Sequence, residues 1–479
     1  MGKINWIASR PLSRTVFRAI SIFSGVKLLS VFCSLIRNKL IAVLIGPAGM
    51  GLISLYYSCV EMFSNMTRLS VDQSAIRDIS AESAPSHRDE ISVIVRRWCL
   101  WLGIAGALLM CALSPLLSIW TFGDSSHWPA FCALSLVPFS MTISAGRTSL
   151  MTGLNMLGRL ARTSAYTAVA AVLLSLALLW AFGEDAIVPM LIANAVAALF
   201  VALAFSPRVP KLKLSFRTIW RKGSGFIRLG ILMTVATVVS NLFAYIFLIY
   251  LQREASTADV GIYNAGNTLV NTYVSVVFAG IWVEYYPRVS RAIHSARSTS
   301  AMVCHEISLT LCILLPIAMA FITADGLIVN ILYDKSFIPV LPFLSIAILG
   351  IVFRTFSWSV AFVIIARGDG KTYILTECTD AVIGLTLNII GWNLGGMAGL
   401  GVSYVLWYMI YSCIVCSVYR LRYKLRMPRR IIGLTLLIFS VVAATLLLKI
   451  YVGWWASLLA TIAAVPVCLK ALGRHPKAV

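Results

Sequence analysis

The chain has 479 residues, of which 59% are hydrophobic and only 12% are charged. A soluble globular domain carries about 25% charged residues, so this composition excludes an ordinary soluble fold. Lysine and arginine outnumber aspartate and glutamate by 40 to 18, which gives a formal net charge of +22. In a soluble protein such an excess would suggest nucleic-acid binding, so the placement of the charges has to be considered first.

Apolar runs recur along the whole chain at the length of about 20 residues that crosses a bilayer as a helix. They predict an all-α polytopic membrane protein with about 14 transmembrane helices. The predicted spans are 16–36, 52–75, 98–120, 129–157, 163–183, 186–206, 229–251, 262–286, 303–323, 339–364, 374–391, 398–418, 431–449 and 452–469.

The orientation follows from the short loops, because loops rich in lysine and arginine stay on the cytoplasmic side. The basic residues concentrate on the side that the two termini share, above all in the 206–226 linker and the 420–430 stretch. We therefore predict a multi-pass membrane protein with both termini in the cytoplasm. The positive charge is explained by topology, and no nucleic-acid partner is expected.

An internal repeat is indicated when the chain is shifted by 210 residues, which aligns 17–80 with 227–290 without a gap and pairs Gly51 with Gly261. Because each half has an even number of predicted helices, the halves are expected to be parallel repeats about an axis along the membrane normal. The predicted parts are an N-terminal six-helix lobe (1–208), a basic cytoplasmic linker (209–226), a C-terminal six-helix lobe (227–425), and two additional helices with a tail (426–479).

Ionisable residues inside predicted spans are expensive in a bilayer and are therefore candidate functional groups. In the second span, Glu61, Asn65, Arg68 and Asp72 recur at helical spacing, which predicts one polar stripe on one helix. Such a stripe suits the wall of a wet cavity that binds a ligand. The alternative is an intrahelical network that only satisfies its own charges.

Three further polar residues are candidate ligand-binding groups. Arg147 and Arg354 lie within predicted spans, where the alternative to a cavity role is snorkelling toward an interface. Asn271 shares one helical face with Asn264 and Asn267. That face suits a hydroxyl-rich ligand, and polar contacts between helices explain it equally well.

Glu377 and Asp380 form an acidic pair at helical spacing in the eleventh predicted span. Such pairs can carry H⁺ or Na⁺ through a transporter, and the alternative is a capping or interfacial role for Glu377. Cys413 and Cys416 lack the further ligands of a zinc site, and the chain has no Gly-rich phosphate-binding loop of the Walker type. No metal site, no cofactor and no enzymatic centre are therefore predicted.

Two segments resemble a known family: RNKLIAVLIGPAGMGLISLYY at 37–57 and ARGDGKTYILTE at 366–377. They are similar to the O-antigen and polysaccharide flippases of the multidrug/oligosaccharidyl-lipid/polysaccharide exporter superfamily. The resemblance implies a two-lobed transporter that moves undecaprenyl-diphosphate-linked oligosaccharide between the leaflets of the bacterial inner membrane by alternating access through a central cationic cavity. It also implies contacts with membrane lipid, with a polysaccharide polymerase and with a chain-length regulator.

The resemblance further implies basic residues in the cavity, and the matching positions are Arg18, Lys27, Arg68 and Arg228. For Arg18 and Arg228 an ordinary flanking charge at the cytoplasmic mouth of a helix is the alternative. Arginine suits a diphosphate because it forms paired, charge-assisted hydrogen bonds. Two other functions stay open: a cation-coupled multidrug exporter of the same superfamily, which needs an acidic and aromatic cavity, and a membrane-embedded glycan polymerase, which usually needs a large loop outside the membrane.

Overall fold

A computed structural model of the chain describes residues 14–82, 84–207, 215–293 and 295–474. The described chain is helical, with short 3-10 turns at Gly183–Ala186 and Lys335–Val340. The helices are α1 (Arg14–Arg68), α2 (Val71–Ala81), α3 (Pro85–Phe122), α4 (Trp128–Leu134), α5 (Leu136–Gly153), α6 (Leu157–Phe182), α7 (Ile187–Phe205), α8 (Phe216–Glu254), α9 (Thr257–Ala292), α10 (Ala296–Leu332), α11 (Leu341–Ala366), α12 (Gly370–Leu421), α13 (Arg429–Tyr451) and α14 (Trp454–Arg474).

Nine helical stretches within the described ranges are long and apolar enough to cross a membrane. A helix satisfies its own backbone hydrogen bonds, which is why an apolar segment folds this way where water is absent. The prediction of an all-helical polytopic membrane protein is therefore confirmed, and the number of 14 spans stays a prediction. The stretches are Leu29–Arg68, Ser86–Phe122, Trp128–Gly153, Leu157–Phe205, Thr234–Glu254, Ala296–Leu332, Lys335–Ala366, Gly370–Leu421 and Arg429–Tyr451.

Two of the long helices consist of two helical segments that meet at glycines with non-helical backbone angles. The predicted spans 16–36 and 52–75 begin in the two segments of α1, which meet at Gly46 (φ 63°, ψ −166°) just before Pro47. The spans predicted at 374–391 and 398–418 lie in the two segments of α12, which meet at Gly395 and Gly396. A left-handed glycine is tolerated inside such a bend because it has no Cβ.

The sequence prediction is wrong where it ran through a break in a helix. The single helix predicted at 129–157 is divided into α4 and α5, which ends at Gly153. The predicted second span also ends earlier, at Arg68, because Leu69 and Ser70 adopt positive φ angles of 49° and 48°. The chain then restarts as α2, so Asp72 lies on a different helix from Arg68.

The chain forms two compact units. Unit 1 comprises residues 1–45 and 59–234, and unit 2 comprises residues 46–58 and 235–479. The second segment of α1 therefore begins with residues that belong to unit 2, and α8 starts in unit 1 and continues in unit 2.

Within unit 1, the start of α8 is anchored by tryptophan contacts. The indole N–H of Trp98 on α3 donates a hydrogen bond of 3.0 Å to the backbone carbonyl of Ile219. The Trp98 ring also lies 5.2 Å from the ring of Trp220. Ile219 is fully buried in a core formed with residues of α2, α3 and α5, such as Val71 and Leu150. These contacts hold the end of the basic linker region on unit 1.

Within unit 2, the two last helices are attached by an ion pair. α13 and α14 both pack on α10, and α13 also contacts α11. The ammonium group of Lys449 on α13 pairs with the carboxylate of Asp325 on α10, whose side chain is only 4% exposed. Asp325 also accepts hydrogen bonds from the Ser345 hydroxyl (2.5 Å) and from the backbone N–H of Gly326 (2.6 Å). The carboxylate is thus compensated by groups from three helices, α10, α11 and α13.

A second carboxylate, that of Asp369, connects the two ends of α12, whose two segments form a hairpin. Asp369 caps the start of α12 by accepting from the backbone N–H (3.3 Å) and the hydroxyl (2.8 Å) of Thr372. It also accepts from Arg422 Nε (2.6 Å) and the Tyr423 hydroxyl (3.0 Å), which follow the end of the same helix. The Arg422 guanidinium holds the pKa of the Asp369 carboxyl well below its usual range. Asp369 therefore joins both ends of the hairpin.

The Asp325–Lys449 pair gives a stability prediction. Lys449→Ala leaves a buried carboxylate without its cation, which costs about 3 kcal/mol when the exposed part of Lys449 is considered. The variant should unfold at a lower temperature in detergent than the wild type. The neutral pair Asp325→Asn with Lys449→Met should recover most of this loss because no charge stays unpaired. Equal melting temperatures for the single and the double variant would contradict the ion pair.

The Asp369 contact gives a pH prediction. Since the folded-state pKa of Asp369 is lowered, its stabilisation is present above the unfolded-state pKa near ~3.9 and is lost as the pH falls below it. Asp369→Asn keeps a capping side chain and should lower the melting temperature at pH 7 by about 1–2 °C. This difference should shrink at a pH of about 3. Asp369→Ala also loses the cap, so it should melt below Asp369→Asn at both pH values, and a pH-independent difference for Asp369→Asn would refute the assignment.

Candidate functional site

Unit 2 contains a polar cluster inside its helical bundle around Arg354 on α11. The Arg354 guanidinium donates to the Asn271 side-chain oxygen on α9 and to the Tyr404 hydroxyl on α12, the latter at 3.2 Å. Its carbon atom lies 5.5 Å from the centre of the Tyr408 ring, a cation–π contact. The structure thus brings together two residues predicted separately, Asn271 and Arg354.

The asparagine side chains on one face of α9 make two kinds of hydrogen bond within unit 2. The Asn271 amide donates to the side-chain oxygen of Asn267 at 2.5 Å, which orients the Asn271 oxygen toward Arg354. Asn264 instead donates to Ser54 Oγ at 2.6 Å, in the segment of α1 that belongs to unit 2. The face therefore makes contacts between helices as well as a polar surface beside Arg354.

The predicted acidic pair lies on the first half of α12 and is held by aromatic donors from the second half. Trp407 Nε1 donates to Asp380 at 2.7 Å, and the Tyr411 hydroxyl donates to Glu377 at 3.2 Å. Asp380 also lies close enough to Arg354 to attract it electrostatically. Glu377, Asp380 and Arg354 therefore belong to one network within unit 2.

The aromatic partners were missed by the sequence analysis. Tyr404, Trp407, Tyr408 and Tyr411 line one side of α12, and each of them contacts Arg354, Asp380 or Glu377. Their spacing of three and four residues was the available signal, since it places them on one helical face. In an apolar span this pattern is typical of core packing, so only the facing charges reveal its polar role.

Unit 1 has its own charged cluster, and one prediction about it is wrong. Glu61, Asn65 and Arg68 lie on α1 as expected, but Asp72 lies on α2, beyond the break at Leu69 and Ser70. Arg68 still reaches Asp72, with a nitrogen–oxygen distance of 3.7 Å. The four residues are therefore not a stripe on a single helix, because the left-handed residues turn the chain between them.

Arg147 on α5 joins this cluster from another side. Arg68, Asp72 and Arg147 all act electrostatically on the buried Cys99 of α3, and Arg68 also attracts Glu61. Cys99 and α5 approach closely because residue 146 is a glycine, where a Cβ would press on the Cys99 sulfur. Unit 1 thus gathers two arginines and two carboxylates from α1, α2 and α5.

The Arg68 guanidinium has unused binding capacity. Its side chain is 21% exposed, and Asp72 is its ion-pair partner at the long distance of 3.7 Å. Its Nε is buried and has no hydrogen-bond partner among the described residues. A buried donor without an acceptor is costly, so an anionic group that accepts from Arg68 would gain free energy there.

The side chains of three predicted site residues lie outside the part of the chain that the structure describes. They are Arg18 and Lys27, which fall on α1, and Arg228, which falls on α8. In the part of the chain that the structure describes, no group of three or more histidine, cysteine, aspartate or glutamate side chains is arranged to hold a metal ion.

Solved structures with the same fold are transporters by their descriptions. The chain matches the lipid II flippase MurJ in an inward closed conformation with a TM-score of 0.67 and 15% identity, over 94% of this chain and 98% of that one. It matches an inward-facing multidrug resistance MATE family transporter of the MOP superfamily with a TM-score of 0.69 and 12% identity, over 85% and 98% of the two chains. An outward-facing MATE family transporter matches with a TM-score of 0.58 and 13% identity, over 85% and 96%.

No curated protein matches the sequence at a significant level. The model of the polysaccharide biosynthesis protein family does match, over residues 16–292, which is more than half of the chain. The chain therefore belongs to the polysaccharide biosynthesis protein family.

Proposed function

We propose that this protein is a flippase for undecaprenyl-diphosphate-linked oligosaccharide, such as an O-antigen or a related polysaccharide repeat unit. The observation that carries the proposal is Arg68, a guanidinium with a buried Nε that has no hydrogen-bond partner among the described residues. Membership of the polysaccharide biosynthesis protein family supports the substrate class. The fold shared with a lipid II flippase supports the kind of transport.

The chemistry of the ligand fits the two polar clusters. A diphosphate is a compact anion that has to be met by several donors when it leaves water, and arginine offers paired donors in a plane. Arg68 and Arg147 provide such donors in unit 1, and Arg354 provides them in unit 2. The sugars would bind to amide and hydroxyl groups, which Asn65, Asn271 and their polar neighbours offer. Asp72 pairs with Arg68, and Glu61 attracts it.

The proposed transport cycle follows from the repeat. Two parallel six-helix lobes, at 1–208 and 227–425, would alternate access to a central cationic cavity lined in addition by Arg18, Lys27 and Arg228. The prenyl tail would stay in the membrane lipid. We propose a bacterial inner-membrane location with both termini and the 209–226 linker in the cytoplasm, about 14 spans, and a polysaccharide polymerase and a chain-length regulator as partners.

We further propose that Glu377 and Asp380 couple transport to H⁺ or Na⁺. Both carboxylates lie on α12 within unit 2 and receive neutral donors from Tyr411 and Trp407. Asp380 also attracts Arg354, which in turn contacts Asn271. A change of charge at Asp380 would therefore alter the positive field of a ligand-binding arginine, which is a direct route for coupling.

A second candidate function is a cation-coupled multidrug exporter. The observation that favours it is the combination of Glu377 and Asp380 with the aromatic rings of Trp407, Tyr408 and Tyr411, since acids and aromatic faces bind organic cations. The two candidates differ in the role of the arginines, because a cationic drug gains nothing from Arg68 and an anionic lipid requires it.

The first test of the flippase proposal removes Arg68. Arg68→Ala should reduce export of the surface glycan to below about a tenth, since loss of one buried charged contact costs about 1.5–3 kcal/mol. Arg68→Lys keeps the charge but not the paired geometry and should recover only part. Export is measured by complementing a strain that lacks this protein, with its abundance in the membrane determined in parallel.

The matched control for this test is Arg162→Ala, an exposed arginine at the start of α6, which should be nearly silent. Full glycan export by Arg68→Ala at normal abundance would remove Arg68 from the mechanism. Normal export by a combined alanine variant of Lys27, Arg68, Arg147 and Arg354 would refute the cationic cavity. Retained glycan export with lost drug resistance in the strain that lacks this protein would favour the multidrug exporter.

The coupling proposal is tested at Asp380. Asp380→Asn cannot lose or bind a proton and binds Na⁺ poorly, so transport into vesicles should no longer respond to an imposed gradient of H⁺ or Na⁺. Glu377→Gln should show the same loss if the two carboxylates act as a pair. Glu184→Gln, at an exposed acid in a turn, is the control. An unchanged response to both gradients in the Asp380→Asn variant would exclude it as a coupling residue.

A further inference from the structure

Two cysteine side chains from different helices meet within unit 1. Cys111 lies on α3, and Cys132 is the fifth residue of the short helix α4. Their sulfur atoms are 3.0 Å apart, and both thiols are free. Non-bonded carbon atoms, which are smaller than sulfur, pack at about 3.5–4.0 Å. The two sulfur atoms are therefore closer than ordinary packing brings them, and a movement of about 1 Å would reach the length of a disulfide bond.

The fold holds α4 against α3 without help from the cysteines. The Ser118 hydroxyl on α3 donates to the backbone carbonyl of Asp124 (2.7 Å) and accepts from the backbone N–H of His127 (3.1 Å). Phe131 on α4 is fully buried, and its ring lies 6.2 Å from the ring of Phe122 at the end of α3. Because these contacts already align the two helices, formation of the bond would need little further ordering of the chain.

The cysteine pair lies on the side of unit 1 that faces away from the arginines of α3. Arg88, Arg96 and Arg97 lie in the first half of that helix, whereas Cys111 lies in the second half. Cys132 lies in the second turn of α4, shortly after the exposed residues 123–126, and both thiols are partly exposed. In the proposed orientation this is the outer side of the inner membrane, where disulfides form and persist.

We propose that Cys111 and Cys132 are a redox modification site, at which a thiol–disulfide oxidoreductase of the outer compartment forms a disulfide that ties α4 to α3. Because α4 leads directly into α5, which carries Arg147, the bond would also hold the outer end of that helix. The inference rests on the orientation given under the proposed function and does not depend on the transported substrate.

The reaction is an exchange of thiols and disulfides in two steps. The Cys132 thiolate attacks one sulfur of the oxidoreductase disulfide, which breaks that bond and releases the other sulfur as a thiolate. The Cys111 thiolate then attacks the Cys132 sulfur of the mixed disulfide and displaces the oxidoreductase. Two electrons pass to the oxidoreductase, whose two thiolates take up the two protons that the cysteines lose. Its product is a dithiol.

The main test traps the thiols in living cells. Cells are treated with N-ethylmaleimide, and the purified protein is then reduced and labelled with a maleimide of high mass. Reduction should expose two new thiols per molecule in the wild type and none in the Cys111→Ser/Cys132→Ser variant. Digestion without reduction should release a peptide pair linked through these residues, identified by mass spectrometry. Cys413 and Cys416, which share the helix α12, are the matched control and should carry N-ethylmaleimide.

The outcome in cells separates the disulfide from the other proposals. Complete alkylation of Cys111 and Cys132 by N-ethylmaleimide would overturn the modification site. A strain that lacks its extracytoplasmic thiol–disulfide oxidoreductases should keep both thiols reduced, and an unchanged disulfide there would overturn the assigned oxidant. A disulfide in a protein that exports no glycan would refute the proposed substrate and leave the modification site standing.

The orientation has a test of its own. Ser125 lies in the exposed turn after α3, so Ser125→Cys in the Cys111→Ser/Cys132→Ser variant should react with a membrane-impermeant maleimide outside spheroplasts. Labelling together with free thiols in the wild type would refute the disulfide and leave the orientation standing. Absence of labelling would refute the orientation and the oxidising compartment with it.

A further measurement follows the bond in the purified protein. The two cysteines are 21 positions apart, so the disulfide closes a short loop in the unfolded chain and stabilises the fold. Dithiothreitol should lower the melting temperature of the wild type by about 3–5 °C. The Cys111→Ser/Cys132→Ser variant should melt at one temperature with and without the reductant. An equal effect of dithiothreitol on both proteins would overturn the link between α3 and α4.

Discussion

The structure depends on one constraint: inside a bilayer, every polar group has to find its partner within the chain. Helices satisfy the backbone, and the side chains that carry charge are compensated by neighbours on other helices. Asp325 shows the rule clearly, because its buried carboxylate draws partners from α10, α11 and α13. The same need for compensation makes each incompletely satisfied group, such as Arg68, stand out as a candidate for ligand binding.

The two charged clusters meet this constraint in different ways. In unit 1, Arg68 is paired with a carboxylate from a second helix, and further charges of both signs surround it. In unit 2, Arg354 lies among an amide, a hydroxyl group and an aromatic ring, while the acids receive indole and phenol donors. A neutral partner weakens the positive electrostatic field of an arginine less than a close carboxylate does. More of that field is then available to attract a ligand. The charged clusters of the two units thus have unlike chemistry.

Glycine kinks and the contacts of the Asp369 carboxylate together position these clusters. Kinks at Gly46 and at Gly395–Gly396 let two long helices change direction without exposing a loop. Asp369 then joins the two ends of α12, which carries the acids on one arm and their aromatic donors on the other. The family-like segment at 366–377 therefore contains a structural tie at Asp369.

The sequence by itself determined the class of fold and most of the helices. Apolar runs and the sparse charge define them, and the transfer of each residue into lipid is a local property. The 210-residue register is also visible in the sequence, and the internal repeat stays a prediction. The break after Arg68 was not predicted, because the backbone angles of residues such as Leu69 and Ser70 depend on what packs around them.

Only the tertiary structure decided which intramembrane charges meet. Asn271 and Arg354 were separate candidates in the sequence, and their partners Tyr404 and Tyr408 carried no distinguishing signal in an apolar helix. The Asp325–Lys449 pair joins residues 124 positions apart and was likewise invisible. Periodicity records the face of a helix that a residue occupies, whereas the partner across that face depends on how the helices pack, and this is settled only when the whole bundle has formed.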